Sequence, residues 1–94
     1  MVYLIVRHKV KDYDKWKPVF DEHAAVRKDA GSKGGRLYRN KNAPNELMII
    51  FKWDTIENAQ KFGDSEELKN TMQRAGVIDK PDIYFLDEIE KVPV

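Results

Sequence analysis

The sequence contains no cysteine, and this absence removes several kinds of chemistry at once. Disulfide bonds, thiol nucleophiles and thiolate metal ligands are excluded, while the redox state of the compartment is left open. No apolar run approaches the roughly 20 residues that a membrane-spanning helix needs. Met1–Val10 is apolar for too short a stretch and has no small-residue cleavage site, which argues against a signal peptide. We therefore expect a cytoplasmic protein that does not contact a membrane.

Glycine and proline are scarce, and neither a repeat nor a linker divides the chain. The 94 residues, 41% of them hydrophobic, predict a single globular domain over residues 1–94. A monomer of this size buries only about 60–65% of the surface that its unfolded chain exposes. A partner subunit would therefore add stability.

The first half of the chain predicts a strand, a helix and a second strand. Val2–Val10 is apolar at successive positions, which is typical of a strand covered on both faces. Asp14 is the predicted N-cap of a helix that carries Pro18 in its first turn and ends at Gly31. Gly35–Asn40 then alternates as a strand does.

The second half repeats this order. Glu46–Trp53 predicts a strand covered on both faces, and Asp54 begins a helix that Gly63 interrupts. Residues 82–90 predict the last strand, with Ile83, Phe85 and Ile89 on one face and Tyr84 and Leu86 on the other.

The order of strands and helices along the whole chain predicts an α+β fold of ferredoxin-like βαββαβ topology, a four-stranded antiparallel sheet with helices on one face. Because the middle strands are apolar on both faces, we expect a homodimer in which two sheets pack together.

Several segments carry a resemblance to a known family: the doubly apolar strands, the Trp53-Asp54-Thr55 step into a helix with Glu57, Ala59 and Phe62, and the Gly76-Val77 run into Pro81. On these the chain resembles the dimeric α/β-barrel superfamily, and within it the antibiotic-biosynthesis-monooxygenase-like proteins, some of which are labelled cyclase-like. The resemblance implies a small-molecule pocket between sheet and helices. It also implies a choice among cofactor-independent oxygenases of aromatic polyketides or quinols, isomerases, haem-degrading enzymes and proteins without known activity.

Two polar residues of the first helix are the candidate catalytic groups. His23 lies within an otherwise apolar helix stripe, where desolvation favours a neutral imidazole that can accept a proton. Arg27, one turn later, can hold an anionic or enolate oxygen. The alternatives are a structural histidine at the edge of the core and an arginine that extends to solvent and pairs with an acid.

Aromatic residues supply the candidate substrate-binding surface. Trp16 and Phe20 share the helix face of His23, and Tyr38 and Trp53 lie on strands. Together they can form flat walls for a planar organic ligand, although aromatic residues at helical spacing also build ordinary cores.

Other functions find little support in the residues. The second helix has no histidine for haem degradation, His8 and His23 lie on different elements and do not form a metal motif, and no phosphate-binding or dinucleotide loop is present. We expect neither a cofactor nor a metal. An RNA-binding sheet can be imagined from Tyr3, Phe51 and Trp53, but the third strand lacks the basic-glycine-aromatic signature, so no nucleic-acid partner is expected.

Charge is distributed unevenly along the chain. Residues 1–41 hold 11 Lys and Arg against 5 Asp and Glu, and residues 42–94 hold 6 against 11. The charges of the two halves can cancel in surface pairs, or they can leave a small basic patch for an anionic ligand.

Taken together, the sequence favours a homodimer that binds a small organic molecule. It is either a cofactor-independent monooxygenase or cyclase/isomerase-like enzyme, or a ligand-sensing or structural dimer without turnover.

Overall fold

A computed structural model describes residues 2–94, and its centre is one four-stranded sheet. The strands are β1 (Val2–Lys9), β2 (Ser32–Asn40), β3 (Ala43–Trp53) and β4 (Asp82–Asp87). Their spatial order is β2-β3-β1-β4, and every neighbouring pair is antiparallel. The predicted ferredoxin-like α+β topology is confirmed. β2 and β3 begin earlier than predicted, because the chain pairs from Ser32 onward and turns back within Lys41–Asn42.

The helical segments lie against one face of the sheet. They are α1 (Tyr13–Glu22), α2 (Ala24–Ala30), α3 (Ile56–Gly63) and α4 (Glu66–Ala75). The predicted interruption of the second helix at Gly63 is confirmed. The predictions that Asp14 and Asp54 begin the two helices are each wrong by one or two residues, because the side chains of Asp12 and Thr55 accept from the first free amides. Ser65 caps α4 in the same way. No helix within residues 2–94 combines the length and the apolar character needed to span a bilayer.

The first helix is divided at His23, which sequence periodicity did not predict. His23 separates α1 from α2 with φ −76° and ψ −2°, and its amide still donates to the Val19 carbonyl. The Phe20 carbonyl beside this break accepts a hydrogen bond of 2.8 Å from Arg27 Nη1. This hydrogen bond joins α2 to the end of α1 across the break.

The core lies between the helices and one face of the sheet. Residues opposite one another in the register share a face, so Leu4 pairs with Phe51 and Val6 with Ile49 on the helix side. Trp53 is 0% exposed, and its indole nitrogen donates to the Ala30 carbonyl at 3.1 Å. Gly31 permits this contact, because its φ is +123° and a Cβ there would lie 2.8 Å from the indole nitrogen.

The opposite face of the sheet is not covered by a helix. Register places Tyr38 of β2 and Met48 of β3 on this open face, and Tyr84 and Leu86 of β4 share it. Tyr38 is 46% exposed and Tyr84 51%. The predicted faces of β4 are confirmed, except that Ile89 lies beyond the strand and is almost fully exposed.

Candidate functional site

A small cavity lies between the helices and the helix side of the sheet. Its volume is about 40 Å³, and it is lined by groups from β1, β3 and all four helical segments. The polar and aromatic groups among them are His8, Trp16, Phe20, His23, Arg27, Phe51, Phe62 and Thr71. The structure therefore brings together four of the six predicted site residues, namely Trp16, Phe20, His23 and Arg27.

His23 reaches this cavity from the break between α1 and α2. The residue is 5% exposed, and its Nε2 lies 3.0 Å from Oε1 of Glu67 on α4. An ionised carboxylate can only accept, so Nε2 carries the proton of this hydrogen bond. In the neutral ring the lone pair is then on Nδ1, which is the nitrogen able to take a proton. Glu67 orients the ring and can stabilise an imidazolium.

His8 is a second buried histidine at the cavity, and sequence reasoning missed it as a site residue. It is 3% exposed, and within residues 2–94 neither ring nitrogen has a hydrogen-bond partner. Burial lowers the pKa of His8 to about 4, so the ring is neutral at pH 7. His8 alternates along β1 with Leu4 and Val6, and this spacing is the sequence signal that places the three side chains on one face of the sheet.

Arg27 and Phe20 separate the cavity from a wider groove. The guanidinium carbon lies 4.1 Å from the centre of the Phe20 ring and 5.4 Å from that of Phe51. Burial lowers the pKa of Arg27, which nevertheless stays charged at neutral pH. Both side chains line both spaces. These two side chains therefore lie at the boundary between the cavity and the groove.

The outer groove runs between the first helix pair and β2. Its volume is about 780 Å³, and all charged side chains that line it are basic: Lys17, Arg27, Lys28, Lys33 and Arg36. Lys17 is paired with Asp21 at 2.7 Å. The structure contains both features that the charge distribution predicted. Surface pairing occurs at Arg7, which pairs with Glu46, Asp79 and Asp82 from the acidic half. A basic patch remains in the groove.

Neither Tyr38 nor Trp53, which the sequence predicts as pocket walls, lines this cavity. Tyr38 is opposite Met48 in the register and therefore lies on the open face. Trp53 is on the helix side but is sealed in the core beside Phe62, with ring centres 4.9 Å apart. The walls are formed instead by Trp16 stacked on Phe20, at 4.7 Å between centres, and by Phe51 and Phe62.

The structure also bears on the two functions that the sequence disfavoured. Of the three aromatic residues that could stack RNA bases, Phe51 and Trp53 are buried on the helix side, and only Tyr3 lies on the open face. Across residues 2–94, no group of three or more potential ligands among His, Cys, Asp and Glu is close enough to hold a metal ion.

The cavity combines aromatic walls with two imidazoles and a guanidinium, and the neighbouring groove is basic. A ligand that enters from the groove meets cations first, then the Arg27–Phe20 pair, and then the imidazoles of His8 and His23. Cavities that hold a benzene ring are about 150 Å³, so a ring of that size requires Phe20 and Arg27 to move aside. The chemistry available inside is proton abstraction by His23 beside a fixed positive charge.

Solved structures share this fold. A protein of Bordetella bronchiseptica assigned as an antibiotic biosynthesis monooxygenase is 16% identical and has a TM-score of 0.77, over 95% of this chain and 97% of that one. SnoaB of Streptomyces nogalater, described as a cofactor-independent oxygenase, is 15% identical with a TM-score of 0.77, over 99% of this chain and 97% of that one. Rv0793 of Mycobacterium tuberculosis is 14% identical with a TM-score of 0.62, over 96% of each chain.

No protein-family model matches the sequence, and no curated protein matches it significantly. At identities this low the structural likeness shows the fold. The predicted resemblance to antibiotic-biosynthesis-monooxygenase-like proteins is confirmed at that level.

Proposed function

We propose that this chain, which shares the fold of the antibiotic biosynthesis monooxygenases, is a homodimeric enzyme that oxidises a planar organic substrate without a cofactor. The observation that carries the proposal is the His23–Glu67 pair at a cavity that only Arg27 and its neighbours at the boundary separate from a basic groove. The fold shared with SnoaB, a cofactor-independent oxygenase, supports the same activity.

Proton abstraction is the step that this site can perform. His23 Nδ1 takes a proton from an acidic hydroxyl or carbon of the substrate, and Glu67 stabilises the imidazolium through Nε2. Arg27 stabilises the negative charge that develops on the substrate oxygen. The electron-rich anion then passes one electron to dioxygen, the co-reactant, and the resulting radical and superoxide combine to form a carbon–oxygen bond. The peroxide takes the proton from His23, and cleavage of its O–O bond with loss of water leaves a quinone carbonyl on the substrate. Without oxygen, the same proton transfer would give an isomerase-like or cyclase-like reaction.

Oxygen uptake is the direct test of this activity. The purified protein should consume dioxygen with at least one member of a panel of quinols, phenols and their polycyclic analogues, without added metal, flavin or haem. Binding of panel members without uptake, and without conversion under nitrogen, would favour the alternative of a ligand-sensing dimer that does not turn over.

Arg27 should determine the affinity for anions. Because hydrogen bonds to a charged group contribute about 1.5–3 kcal/mol, Arg27→Met should weaken binding of 2-naphthoate about 10-fold to 100-fold by calorimetry. The matched control is Arg39→Met, because Arg39 also lies over an aromatic ring, Tyr13 at 4.4 Å, but lines neither the cavity nor the groove. Equal weakening in both variants would show that Arg27 has no specific role.

The open face of the sheet is the proposed dimer interface. It joins Tyr38, Met48, Tyr84 and Leu86, each more than a third exposed, with the half-buried Tyr3, Ile5 and Ile50. A continuous apolar surface of this kind on a small domain marks a protein contact. A second copy with the same face is the complementary partner, because a twofold contact pairs a patch with itself.

Ile50→Glu should disrupt this dimer, because it places a charge at the centre of the apolar face. At micromolar concentration, light scattering should give twice the chain mass of 11.0 kDa for the wild type and a single chain mass for the variant. Lys52→Glu, two residues along the same face at its polar end, is the matched control and should stay dimeric. A wild-type mass of one chain would refute the interface.

A further inference from the structure

We propose that His8 is a ligand-binding residue, whose neutral imidazole holds an uncharged hydroxyl or carbonyl oxygen of the ligand in the cavity. This inference rests on the proposed function in one respect only, namely that the cavity takes a ligand. It concerns a residue on β1, on the opposite side of the cavity from the helix that carries His23 and Arg27.

The burial of His8 without a partner is the first argument. Buried polar groups in folded proteins are nearly always hydrogen-bonded, and an exception calls for an explanation. Both ring nitrogens of His8 are unpaired within residues 2–94, although the residue is only 3% exposed. A leucine would satisfy this position in a purely structural core. The imidazole therefore indicates a partner that the chain itself does not supply.

The surroundings of His8 define the chemistry of that partner. The ring packs edge-on against Trp16, with centres 5.6 Å apart, and lines the same cavity as His23. A neutral imidazole has one donor and one acceptor, which match a hydroxyl in both roles or a carbonyl in one. The positive charges are concentrated at Arg27 and in the groove beyond it. An anionic group of the ligand is thus held near the groove and an uncharged oxygen near His8.

The test compares two probes that differ only at one end, 4-hydroxybenzoate and 4-methylbenzoate. Both present a carboxylate to Arg27, and only the first presents a hydroxyl to His8. Binding is followed by NMR titration in the absence of oxygen, so no turnover is needed. The wild type should bind 4-hydroxybenzoate more tightly. His8→Leu should shift the ratio of the two affinities about tenfold toward the methyl compound, which is the usual effect of one hydrogen bond.

Two further variants keep the test decisive. His8→Gln, which retains a donor and an acceptor, should keep part of the preference for the hydroxyl compound. Thr71→Val removes the buried hydroxyl of Thr71, which lines the same cavity, and should leave the preference unchanged. The proposal is overturned if His8→Leu binds the two probes in the wild-type ratio, or if Thr71→Val rather than His8→Leu abolishes the preference. Because the readout is binding, the absence of oxygen uptake would refute the proposed oxygenase activity and leave this result intact.

Discussion

Replacing His8 by leucine should make the protein much less sensitive to acid. In the folded state burial lowers the pKa of His8 from 6.5 to about 4, whereas the unfolded chain protonates near the ordinary value. The unfolded state therefore binds the proton first, and the folded state loses stability as the pH falls from about 6.5 toward 4. By linkage this loss is about 3 kcal/mol at pH 4. The His8→Leu variant lacks this loss.

Urea unfolding at pH 7 and at pH 4 measures the effect. The difference in unfolding free energy between the two pH values should be about 3 kcal/mol smaller for His8→Leu than for the wild type. Val6→Ala, on the same strand and face, is the matched control, because it creates a cavity that destabilises the protein equally at both pH values. An unchanged pH dependence in His8→Leu would show that His8 is already paired or hydrated in the folded protein.

The second large effect is expected at His23. A side chain in its place that cannot accept a proton removes the proposed general base, and general-base catalysis contributes about 10²-fold to 10⁴-fold to a rate. His23→Gln should lower kcat for oxygen uptake by such a factor, with KM changed only a few-fold, because the amide can still hydrogen-bond to Glu67. His23→Ala should abolish turnover while the dimer stays folded.

The carboxylate partner of His23 provides the matched comparison. Glu67→Gln keeps a hydrogen bond to Nε2 but removes the negative charge that stabilises the imidazolium. It should lower kcat by about tenfold, less than His23→Gln does. If His23→Gln unfolds the protein while turnover survives in Glu67→Gln at the wild-type rate, His23 is a structural residue and the catalytic assignment is wrong.

Much of the fold was predictable because its signals are local. The apolar run of Glu46–Trp53 predicted a central strand, and Gly63 predicted the interruption between α3 and α4. The division at His23 was not predictable from periodicity. His23 continues the apolar stripe of the helix, and the contact that fixes the break, from Arg27 to the Phe20 carbonyl, depends on tertiary packing.

The sequence predicted the site residues that lie on the helices, because helical spacing determines which side chains share a face. It did not predict those that lie on the strands. Trp16, Phe20, His23 and Arg27 lie one turn apart and reach one cavity. On the strands both faces are apolar, so the sequence alone does not say which face the helices cover. Alternation on β1 groups His8 with Leu4 and Val6, but only the structure shows that this face meets the helices. Tyr38 lies on the opposite face, whereas Trp53 lies on the helix side but is buried in the core.

A crystal structure of the protein with its tightest-binding panel compound tests the central claim most directly. The account predicts the compound between the helices and the sheet, with Phe20 and Arg27 displaced, an uncharged oxygen within hydrogen-bond distance of His8, and an acidic group near His23 Nδ1. A compound bound on the open face of the sheet, with the cavity between His8 and His23 unchanged, would contradict it.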